Sequence, residues 1–129
     1  MAKANRPLPT AGELEILRVL WTRGPCTVRE VFEELKRTKP VGYTTILKLM
    51  QIMAEKDLVR RNEEHRTHVY EAMAPRESTQ RQIVGDLLDR AFGGSATQLV
   101  MQALSAKRAT PAEIEQIQRL LKDYQENQK

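Results

Sequence analysis

The chain has 129 residues, with 21 basic and 17 acidic side chains interspersed and a net charge of +4. That is room for one compact domain, or for a small domain with an appended module, able to touch phosphates without a coat of positive charge. One cysteine, Cys26, excludes an intrachain disulfide and a multi-cysteine metal site. Met1 to Arg6 lacks the apolar stretch of a signal peptide and no apolar run reaches transmembrane length, so the sequence reads as cytoplasmic, without direct membrane binding.

Thr10 opens the first predicted helix, because Thr10 and Glu13 stand at capping-box spacing. Leu14, Leu17, Val19, Leu20 and Trp21 give it an apolar face with Ile16 beside it, and Gly24-Pro25 ends it. A second box, Thr27 and Glu30, starts a helix with the stripe Val28, Val31, Phe32 and Leu35; Lys36 and Lys39 fall near its end and Pro40 stops it. After Gly42 a third helix is expected from Tyr43 to Lys56. Ile46, Leu49, Met50 and Met53 face the core, and Thr44, Thr45, Lys48, Gln51 and Glu55 lie largely on the other side. Three short helices with tight joints follow the helix-turn-helix plan.

The period then changes. Leu58 to Asn62 and Thr67 to Met73 are β-prone runs around the polar stretch Glu63 to Arg66, which reads as a hairpin, and a hairpin directly after such a helix is a wing. Pro75 opens an all-helical tail. A fourth helix covers Arg76 to Phe92, with Ile83, Val84, Leu87 and Leu88 on one side. A short fifth follows the capping pair Ser95 and Gln98, with Leu99, Val100 and Leu104. A sixth starts at Thr110-Pro111 with Glu113. Ile114, Ile117, Leu121 and Tyr124 step by three and four along it as an a/d seam, widened by Leu120.

The expected fold is therefore mainly α with a small β-hairpin wing: a winged helix-turn-helix over 1–74 and a helical dimerisation module over 75–129. A tail this small is marginal alone. Either it packs back on the first domain, or two tails interlock through Ile83, Leu87, Leu99, Leu104, Ile114, Ile117, Leu121 and Tyr124. The narrow seam favours the second arrangement.

A helix in the major groove reads bases near its amino end. Thr44 and Thr45 can bond a base edge or phosphate, or one of them can cap the helix. Lys48 can reach guanine acceptors or a phosphate, Gln51 can read adenine, and Tyr43 can donate its hydroxyl to a phosphate or pack as an aromatic. In the wing, Arg66 and either Arg60 or Arg61 are candidates for phosphate or minor-groove contact, beside Glu63 and Glu64. Arg29 and Lys39 are further candidates for clamping the backbone. His65 and His68, three apart on a hairpin, do not make a metal site, and Cys26 reads as a small residue in a turn rather than a redox sensor. Trp21 reads as a core anchor. The chain has no Gly-rich phosphate loop, triad or convergent carboxylate pair, so neither an enzyme nor a cofactor is expected. A winged-helix adaptor that binds proteins and not DNA is the alternative, supported by the balanced charge of residues 43–74.

These residues also carry a resemblance. Leu8-Pro9-Thr10-Ala11-Gly12-Glu13-Leu14-Glu15-Ile16-Leu17 with Leu20-Trp21, then Thr27-Val28-Arg29-Glu30-Val31, Gly42-Tyr43-Thr44-Thr45-Ile46-Leu47, Val69-Tyr70 and Phe92-Gly93-Gly94-Ser95 occur in order and at the right spacing. Over about Leu8 to Asn127 the chain resembles the penicillinase-repressor family, which includes β-lactamase, methicillin-resistance and copper-responsive repressors. The resemblance implies a homodimer on a palindromic operator in double-stranded DNA that blocks transcription. It also implies a membrane sensor protease as a partner, since β-lactam-linked relatives are cut in the tail at an Asn-Phe bond. The aligned position here reads Gln102-Ala103. Copper-responsive relatives carry carboxy-terminal cysteines, and Leu121 to Lys129 has none, which excludes that metal site. Ile52 stands where many relatives carry Arg, and Asp57 replaces a usual Gly, a position where Asp tolerates a left-handed turn better than most residues.

Overall fold

The computed structural model describes residues 7–64 and 66–128; His65 lies outside the described residues. In chain order the elements are α1 (Ala11–Arg23), α2 (Val28–Leu35), α3 (Tyr43–Glu55), β1 (Val59–Asn62), β2 (Val69–Ala72), α4 (Arg76–Phe92), α5 (Ala96–Ala106) and α6 (Pro111–Asn127). Contacts divide the chain into two compact units, one running to Val84 and the other from Gly85.

The helix starts follow the capping chemistry. Thr10 and Glu13 exchange bonds of 2.9 and 3.2 Å. Thr27 and Glu30 do so at 2.9 and 3.1 Å, as do Thr110 and Glu113. At Ser95 only half of the expected box forms: its hydroxyl accepts from the Gln98 N–H at 3.2 Å. The stop of α2 differs from expectation. The helix ends at Leu35, not near Pro40, because the chain tightens into i→i−3 bonds from Arg37 N–H to Glu34 and from Thr38 N–H to Leu35.

In the first unit, Ile16, Leu17 and Leu20 of α1 meet Val28 and Val31 of α2, Ile46, Met50 and Met53 of α3, and Leu58, Val59 and Tyr70 of the hairpin. Each such side chain contributes roughly 1.5–3 kcal/mol by leaving water. Leu49 and Trp21 pack against this core from its edge. The hairpin is antiparallel, with Val59 opposite Ala72, Arg60 opposite Glu71 and Arg61 opposite Tyr70. A third, one-residue strand joins it, since Cys26 and Tyr70 exchange backbone bonds of 2.9 and 2.8 Å. Cys26 is buried and its thiol donates to the Gly24 carbonyl at 3.3 Å. Burial pushes that thiol above its ordinary range against the opposing pull of Arg23, which disfavours the reactive thiolate.

Glu13 is the one buried acid among the described residues, 1 % exposed. One carboxylate oxygen accepts from the Thr10 N–H and the other from the Lys56 ammonium at 2.8 Å, tying α1 to the end of α3. Burial alone pushes this carboxyl up, but the bonds from Lys56 and Thr10 outweigh it and hold it below the ordinary carboxylate range.

Asp57, just past α3, has φ +63°, the left-handed turn expected there. A β-branched side chain is strained in that conformation. Asp57→Val is therefore expected to lower stability by about 1–2 kcal/mol, read as an earlier midpoint in urea denaturation; an unchanged midpoint would count against the strain.

The second unit is built differently. No described residue from Gly85 onward is buried, although Val100, Met101 and Leu104 of α5 and Ile114, Leu120, Leu121 and Tyr124 of α6 are large and apolar.

Candidate nucleic-acid interface

Helix α3 turns Ile46, Met50 and Met53 into the core, which leaves Tyr43, Thr44, Thr45, Lys48 and Gln51 exposed along its opposite side. Gly42 caps α3 with no side-chain bond, so neither Thr44 nor Thr45 is used as its cap. Tyr43 stands edge-on to Phe32 of α2, with ring centroids 5.7 Å apart, and the Arg29 guanidinium lies 4.8 Å from the Tyr43 ring. Arg29 thus packs against the start of α3 and also pairs with Glu33 at 3.7 Å.

A cleft of about 250 Å³ runs between α3 and the hairpin. Its polar lining includes Arg29, Tyr43, Gln51, Arg61, Arg66, Thr67 and His68. The register explains which wing arginine enters it. Arg61 lies opposite buried Tyr70 and shares the face of Val59, whereas Arg60 falls on the other face and pairs with Glu71 at 3.0 Å. Of the two wing arginines weighed from the sequence, the structure brings Arg61 to the cleft and leaves Arg60 outside it. Alternation from Val59 was the signal that distinguishes them. Glu63, whose carboxylate accepts from Arg61 at 2.6 Å, holds it there, and the Tyr70 hydroxyl together with Glu63 keeps the guanidinium firmly protonated. Among the described residues, no ion pair involves Lys48 or Arg66, while Lys39 is held by Glu15 at 2.9 Å.

The site therefore offers an exposed polar helix face beside a cleft that Arg29, Arg61 and Arg66 line, and a hydrophobic core that holds helix and hairpin together. This is the arrangement of a winged-helix DNA-binding protein.

The chain belongs to the penicillinase repressor family, whose model matches residues 9–123. It is 32 % identical over 104 residues to the transcriptional regulator BlaI of Mycobacterium tuberculosis, covering 78 % of this chain and 72 % of that one. It is 20 % identical to a penicillinase repressor of Staphylococcus aureus, covering 86 % and 88 %, and 22 % identical to one of Bacillus licheniformis, covering 95 % and 96 %. Among solved structures, the DNA-binding domain of the repressor BlaI matches with 25 % identity and a TM-score of 0.49, covering 55 % of this chain and 89 % of that one. No described helix is long and apolar enough to cross a membrane.

Proposed function

We propose that this chain is a homodimeric transcriptional repressor that reads a palindromic operator with α3 and the hairpin, its tail carrying the dimer contact. The observation that supports DNA reading best is the exposed row Thr44, Thr45, Lys48 and Gln51 beside the arginine-lined cleft. Thr44 and Thr45, at the amino end of α3, take the base-edge role, Lys48 and Arg66 the phosphates, and Gln51 an adenine. The dimer reading is supported by the second unit, whose seam residues Ile114, Leu121 and Tyr124 stay exposed in a single chain. A symmetric pair sets two recognition helices against half-sites about 34 Å apart.

Release by a membrane sensor protease is part of this proposal. Gln102 and Ala103 lie inside α5, so a cut between them requires that helix to open locally. The adaptor reading is favoured by one observation, the carboxylates that neutralise Arg60 and Arg61 within the wing.

The test is fluorescence anisotropy with DNA from upstream of the protein's own gene against a scrambled fragment, at low and physiological salt. Preference for the first fragment, falling steeply with salt, supports the repressor. Lys48→Ala is expected to weaken binding about tenfold and to flatten the salt slope by about one counterion. Equal binding of both fragments, extended to a genomic library, would favour the adaptor.

A further inference from the structure

Three arginines line the cleft beside α3, and they differ in what holds them. Arg29 pairs with Glu33 of its own helix at 3.7 Å, and among the described residues no ion pair involves Arg66. Arg61 is met from within the hairpin, where its Nε–H donates to Glu63 at 2.6 Å. Glu63 stands at the end of β1, outside the cleft lining, and there the Asn62 carboxamide oxygen accepts from the Glu64 N–H at 2.9 Å. That Asx turn is made by Asn62 and backbone, so the hairpin does not need the Glu63 carboxylate in order to close. Both partners of the Arg61–Glu63 pair reach water, with side chains 37 % and 53 % exposed. An ion pair this open is weak, and its partners can exchange. Glu63 accepts through the Nε–H of the guanidinium, whereas a phosphate can accept from that fork bidentately.

We propose that Glu63 is a resident counter-anion for Arg61, which gives the guanidinium up to a DNA phosphate entering the cleft and thereby sets how tightly the protein holds DNA of any sequence. The inference rests on the DNA-reading assignment above and not on the dimer. Without DNA, the carboxylate neutralises a cation that shares the cleft with Tyr43 and Gln51 of α3. With DNA, Arg61 changes acceptor and Glu63 is left to water and cations. The contact then yields less than a free arginine would, and it releases no additional counterion, since the pair was already neutral. Phosphates carry no sequence information, so the weakening is the same for every sequence. Arg60 supplies the internal comparison. It pairs with Glu71 at 3.0 Å on the other face of the hairpin, away from the cleft, so that pair stays in place. Glu63 is a positioning residue here, since it acts through Arg61.

The test is a double-mutant cycle on the full chain: wild type, Glu63→Gln, Arg61→Gln and the two combined. Anisotropy is read with the upstream fragment and the scrambled fragment across a salt series, and thermal melts check that each variant is folded. Glu63→Gln is expected to tighten both fragments about fivefold and to steepen the salt slope by about one counterion. In the Arg61→Gln background the same change should alter affinity by less than about twofold. Glu71→Gln removes the same charge from the other face and should also stay within about twofold of wild type. Equal gains in the two Arg61 backgrounds, or no gain from Glu63→Gln, overturn the exchange and leave the DNA reading standing. A gain confined to the upstream fragment overturns the phosphate as the new acceptor. A wild type that binds neither fragment at low salt overturns the DNA reading itself, and the exchange falls with it.

Discussion

Replacing Glu13 by alanine is expected to cost the first unit about 2–3 kcal/mol. Loss of the reciprocal cap at Thr10 accounts for about 1 kcal/mol of this. The remainder comes from orphaning the Lys56 ammonium, discounted from the 3–5 kcal/mol typical of a fully buried pair because Lys56 is about one-third exposed and regains water. Glu13→Gln isolates the charge, since it keeps an acceptor for the Thr10 N–H. The pH dependence has a definite sign. The folded carboxyl titrates below its ordinary value of 4.5, so its contribution is complete above that pH and drains away as the pH falls through the folded value. Urea midpoints of wild type and Glu13→Gln should therefore stay apart by a constant amount from neutral pH to about pH 5 and converge in stronger acid. A gap of the same size at both ends would show that the ion pair is not its source.

The second large effect belongs to the tail. Ile117→Asp combined with Leu121→Asp puts two charges into the seam of α6 and is expected to give a monomer in sedimentation equilibrium. Helices of 11 and 17 residues, as α5 and α6 are, hold poorly in water without a packed face. The variant should therefore also lose helical circular dichroism while the first unit stays folded. Affinity for DNA with two half-sites should fall about a thousandfold, because binding of the second half-site is no longer intramolecular, and affinity for one half-site should barely change. A variant that remains dimeric would move the interface off α6.

Much of this was legible in the sequence because local chemistry governs it. Thr10-Glu13, Thr27-Glu30 and Thr110-Glu113 capping, the stop at Gly24, the left-handed turn at Asp57 and the stripe Ile46, Met50 and Met53 each depend on residues a few positions apart. What was not legible depends on partners far along the chain. Glu13 reads as a cap, and nothing near it announces that Lys56 comes to cover its other oxygen. The one-residue strand at Cys26 has no alternation to display. The exposed row on α3 followed from its period. The choice of Arg61 over Arg60 needed the register, which Val59 and the Arg60–Glu71 charge pair encode across the hairpin. The end of α2 was misread because Pro40 is a conspicuous breaker, whereas the chain had already tightened at Arg37 and Thr38.

Trp21 is the chain's one tryptophan, and its indole N–H is spent on the Ala74 carbonyl. Tryptophan fluorescence, excited selectively at the red edge where tyrosine does not absorb, thus comes from a single address, the seam between α1 and the foot of α4. Circular dichroism, by contrast, is weighted by all six helices of the described residues, including α5 and α6. Monitored by both signals in one denaturation, the protein carries its own label-free comparison of its two halves: coincident curves mean that they unfold together, and a helical signal that falls before the tryptophan signal means that the tail lets go first.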